Sequence, residues 1–132
     1  MSWKKGFLFG IISSVFASIA CLIYHKVYSE AFDVDFGNVM PIVNIVAACI
    51  ISCLLMATGY VLITKWKEGK FMGWLNIFYS VLSFASIISV LSFSLPLEIE
   101  SPEMFPGLAI PMHFFPTLSL LTIYPFFKPK NK

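Results

Sequence analysis

His113 is the only ionisable side chain in the apolar stretch from Met104 to Phe127. An imidazole there could bind a ligand, relay a proton or hold a polar headgroup, because ionisable groups at membrane depth are costly unless they are used. The plainer role is a neutral histidine bonded to a serine or to Asn44, since neutral imidazole is far cheaper to bury than a fixed charge. Pro111 and Pro116 flank it. Each proline lacks the N–H that its i−4 carbonyl would accept, so the carbonyls of Gly107 and Met112 need other donors. Asn44 and Asn76 are the other strongly polar groups in apolar surroundings, and His25 follows the first apolar run. His25, Asn44 and His113, facing inward together, would line an outward-facing polar pocket. Two histidines make a poor metal site, because zinc takes three or four protein ligands. Cys49 and Cys53 lack the C-x-x-C spacing of a redox pair, and with Cys21 they read as small packing residues. No catalytic set, metal, cofactor or nucleic-acid partner is expected.

The elements that must position these groups follow from composition. Hydrophobic residues make up 58% of the 132 and charged residues 12%, against about 45–50% and about 25% in soluble domains. The surplus must face lipid. Charge-free runs extend from Phe7 to Tyr24, Phe36 to Thr64 and Phe71 to Leu97, and Met104 to Phe127 is interrupted only by His113. Crossing a hydrocarbon core takes about 20 apolar residues as a helix. The sequence therefore predicts one all-α membrane domain over 1–132. Its four transmembrane helices run at about 6–28, 38–64, 71–95 and 104–127. A β-barrel needs apolar/polar alternation, and a segment such as Asn44 to Ile63 is apolar all round. Short connections favour an up-down-up-down bundle. The second helix is longer than a bilayer requires, and tilt, extension or a kink at Pro41 would absorb the excess.

Eight of the nine lysines fall at the N-terminus, the 65–70 connection and the C-terminus, whereas six of the seven acids fall at 30–35 and 98–103. Lysine-rich segments stay cytoplasmic, so both termini are expected on the cytoplasmic side of the inner membrane. The first apolar run continues past Ser18-Ile19-Ala20-Cys21, unlike a cleaved leader, and is expected to remain as the first helix. Lipid removes the hydrophobic drive between helices, so small residues must permit close approach. Gly6, Gly10, Ser14 and Ser18 form such a stripe, and Ala48 and Ser52 are its expected counterparts. Serines recur every third residue from Ser80 to Ser92, a row that winds around its helix and must partly bond to its own carbonyls.

Tyr24 and Tyr28, Pro41 with Asn44, the lysine-rich connection, Ser92 with Pro96, and Met112-His113 together resemble a family of small, uncharacterised four-helix bacterial membrane proteins, a domain of unknown function. The resemblance implies the same topology and a shared role for His113, and no activity. Three functions stay open. The first is a non-enzymatic subunit or interaction module, partnered by the bilayer and by a second copy or another membrane protein. The second is a small oligomeric transporter or channel around His113. The third is a lipid- or quinone-handling enzyme.

Overall fold

The computed structural model describes residues 1–67 and 70–128. Glu68 and Gly69 of the lysine-rich connection, and Lys130 and Lys132 of the basic C-terminus, lie outside the described residues. The chain forms α1 (Trp3–Phe32), α2 (Ile42–Lys67), α3 (Met72–Ser92) and α4 (Phe105–Phe127), the last preceded by a 3-10 turn at Pro102–Met104. All four helices are long and apolar enough to cross a membrane.

Helix ends follow local chemistry. Ser2 caps α1 by accepting from the Lys5 N–H at 3.3 Å, and Asp33 ends it in the left-handed region at φ 53°. α1 is therefore longer than its charge-free run, and its last turns carry an exposed Lys26–Glu30 pair at 3.9 Å. α2 starts at Ile42, four residues later than expected, because Pro41 pushes Met40 out of helical geometry. Pro41 opens the helix and does not kink it. α3 stops at Ser92 with Phe93 extended, earlier than the apolar pattern suggests.

The helices pack antiparallel, up-down-up-down. α1 occupies the centre of the contacts, meeting α2 on one side and α4 on the other; α3 leans chiefly on α4 and meets α2 least. The α1–α2 seam uses the small residues. A Cβ on Gly6 would run into Val61, and one on Gly10 would lie 2.9 Å from Leu54 Cδ2 and 3.1 Å from Ala57 Cβ. Ser14, Ala17 and Cys21 continue the buried face.

The α1–α4 seam answers the proline problem. Tyr24 donates to the Gly107 carbonyl at 2.8 Å, the carbonyl that Pro111 leaves without a helical partner. The Cys21 thiol approaches the Met112 carbonyl, freed by Pro116, at 4.0 Å. Tyr28 donates to Met104 at 2.8 Å. Pro111 and Pro116 are thus tolerated inside α4 partly because α1 supplies donors along it.

Aromatic layers close both ends. Near the termini Tyr60 stacks on Tyr124 at 4.8 Å, meets Phe9 edge-on at 5.5 Å and hydrogen-bonds Asn76. Lys65 lies 4.9 Å over the Trp3 ring at the same end. At the opposite end Phe36, fully buried, meets Phe105 edge-on at 5.5 Å, and Phe93 reaches Phe105 at 6.1 Å.

Candidate functional site

The contacts between α2 and α3 lie near the terminal end. Tyr79 lies against Gly59 and donates to the Met56 carbonyl at 2.8 Å. Beyond that contact the two helices flank a cavity of about 420 Å³, backed by α4 and reached by Cys21 of α1. A cavity of this size falls within the range of about 300–1,000 Å³ typical of small-molecule sites. Leu55 on α2 and Leu82 on α3 line it while remaining 69% and 52% exposed, so its mouth opens on the flank of the bundle between those helices.

His113 and Asn44 share this cavity. His113 projects from α4 and is half-buried; Asn44, in the first turn of α2, stands exposed at the rim. His113 is eight residues along α4 from Phe105 and eleven from Tyr124, about 12 Å and about 16 Å of helical rise. It therefore lies between the two aromatic layers. His25 does not join them. Its Nε2 is buried with no hydrogen bond, as are the hydroxyls of Ser18 and Ser29, which lie along the same face of α1.

Ala48 and Ser52, expected among the packing residues, instead line the cavity wall, with Ala48 exposed. The α2 residues that meet the α1 glycines are Leu54, Ala57 and Val61. A small residue opens space as readily as it admits a neighbour, and the side chain opposite decides which. The α3 serines mostly spend their hydroxyls locally: Ser80 on Asn76, Ser86 on Ser83 and Ser92 on Ile88, at 2.6–3.0 Å. Ser83 turns inward and hydrogen-bonds Thr117 of α4.

The three thiols are free and buried, and Cys21 and Cys49 line the cavity. Cys49 Sγ lies 3.6 Å from Cys21 Sγ, and Cys53 Sγ lies 3.8 Å from the Pro116 carbonyl. No group of three or more His, Cys, Asp or Glu converges as a metal set among the described residues. Met40, Met56 and Met112 also line the cavity. Nothing in a uniformly apolar helix marks which methionines face a gap.

Fold and site together define a multi-pass helical membrane protein with a mainly apolar cavity open on its lipid-facing flank. No known family, curated protein or solved structure matches the chain.

Proposed function

We propose that this multi-pass membrane protein is a non-enzymatic binding module that holds a largely apolar molecule taken sideways from the bilayer, with both termini cytoplasmic. The observation that carries the reading is the cavity mouth between Leu55 and Leu82, midway along two membrane-crossing helices. A molecule dissolved in lipid reaches that mouth without meeting water. The aromatic layers at the two ends argue against a conduit through a single copy, since Tyr79 closes the terminal side of the cavity and Tyr60 and Tyr124 stack beyond it. The cytoplasmic placement of the termini rests on the lysine distribution. Membership in the small bacterial four-helix family, on the residues named above, belongs to the same proposal.

The test is mass spectrometry of the protein released intact from mild detergent, wild type against Ala48→Trp. Ala48 lines the cavity and is exposed, so an indole there fills space while the α1 seam is left alone. The wild type is expected to carry a solvent-extractable small molecule that the variant lacks, with equal helical content by circular dichroism. An empty wild type, or an equal load on both proteins, overturns the reading.

A further inference from the structure

The hydrogen-bonding groups of the cavity are all neutral, and most are already spent. Ser83 and Thr117 bond each other, Ser86 donates to a carbonyl of its own helix, and Tyr79 donates to Met56. Among the described residues, three lining side chains make no hydrogen bond: His113, Asn44 and Ser52. Among the described residues no lysine or acid lines the space. A phosphate or carboxylate headgroup in so apolar a site would lack a counter-charge, and an unpaired buried charge is strongly penalised.

We infer that the bound molecule has a neutral, oxygen-bearing head on a long apolar tail, with the prenylated quinones as the best-fitting class; this rests on the binding role proposed above. The head oxygen accepts from the His113 imidazole and the Asn44 amide. Space sets the size. At about 30 Å³ for each water-sized unit, 420 Å³ holds about 14 of them. That is a ring and the first carbons of its tail. Met40, Met56 and Met112 favour a flat ring over a linear alcohol, because flexible thioethers make favourable contacts with ring edges. The rest of the tail leaves between Leu55 and Leu82 into the bilayer.

The experiment offers the purified protein an equimolar mixture of decylbenzoquinone, dodecanol, dodecanoate and phosphatidylglycerol and reads retained mass. The quinone is expected to dominate. Its retention should fall roughly three- to tenfold in His113→Ala, the loss of one neutral hydrogen bond. His113→Gln keeps a donor and should stay near wild type, which separates the lost bond from a damaged fold. Dominance of dodecanol would uphold the neutral-head chemistry and assign its source to a long-chain alcohol. Dominance of dodecanoate or phosphatidylglycerol would overturn this inference and leave the binding role standing. Retention of none of the four would overturn both.

Discussion

Replacing Gly10 by leucine should part α1 from α2, whereas the same change at Gly73 should not harm the fold. A Cβ on Gly10 meets Ala57 Cβ at 3.1 Å and the Leu54 Cα at 3.4 Å, neither of which can swing aside. Leucine then forces three further carbons into a closed seam, and over-packing of this kind costs about 1–3 kcal/mol. Against it stands the better helix propensity of leucine, worth up to about 1 kcal/mol. The net expectation is a loss of up to about 2 kcal/mol. A Cβ on Gly73 meets nothing within 4 Å, so only the propensity gain remains there. The two variants should therefore differ by about 2 kcal/mol in reversible unfolding by SDS in mixed micelles, followed by circular dichroism. Shifts of the same sign that agree within about 0.5 kcal/mol would refute the small-residue account of the α1–α2 seam.

Tyr24→Phe removes the donor that Pro111 obliges the Gly107 carbonyl to seek, and should cost about 0.6 kcal/mol, as interhelical hydrogen bonds in membranes do on average. In a Pro111→Ala background the restored N–H should erase most of that cost in the same unfolding assay; an unchanged cost would show that the bond has another purpose. In intact cells a membrane-impermeant maleimide should label Asp35→Cys and spare Lys65→Cys, and the reverse pattern would invert the proposed orientation.

The fold could be read from the chain because lipid imposes a simple rule: long charge-free runs must satisfy their own backbone bonds, and helices do so. The boundaries were less legible. Ser2 and Asp33 extend α1 beyond its apolar run by capping chemistry, and Pro41 fixes where α2 begins. The polar trio separated in space, and two of its members, Asn44 and His113, share the cavity. His113 and Asn44 stood out because each interrupts an apolar run. His25 is similar by type, but it lies one turn beyond Cys21 and does not line the gap, and helical phase in an all-apolar sequence carries almost no signal about which face is inward. The same blindness hid the methionines and the cavity-facing positions of Ala48 and Ser52. The Tyr24 and Cys21 contacts were half legible: the prolines announce which carbonyls are free, and only the packing of α1 on α4 tells which groups answer them.

The most direct test of a lipid-side opening uses nitroxide labels at Leu55→Cys and Leu82→Cys, one at a time. The background carries Cys21→Ala, Cys49→Ala and Cys53→Ala, in bilayers. Collisions with lipid-soluble oxygen and with a water-soluble nickel chelate are then compared by electron paramagnetic resonance. Strong broadening by oxygen and little by nickel at both positions is the predicted result. Strong broadening by nickel would mean a water-filled path, and contact with neither would mean a mouth sealed by protein; either contradicts a site filled from the bilayer.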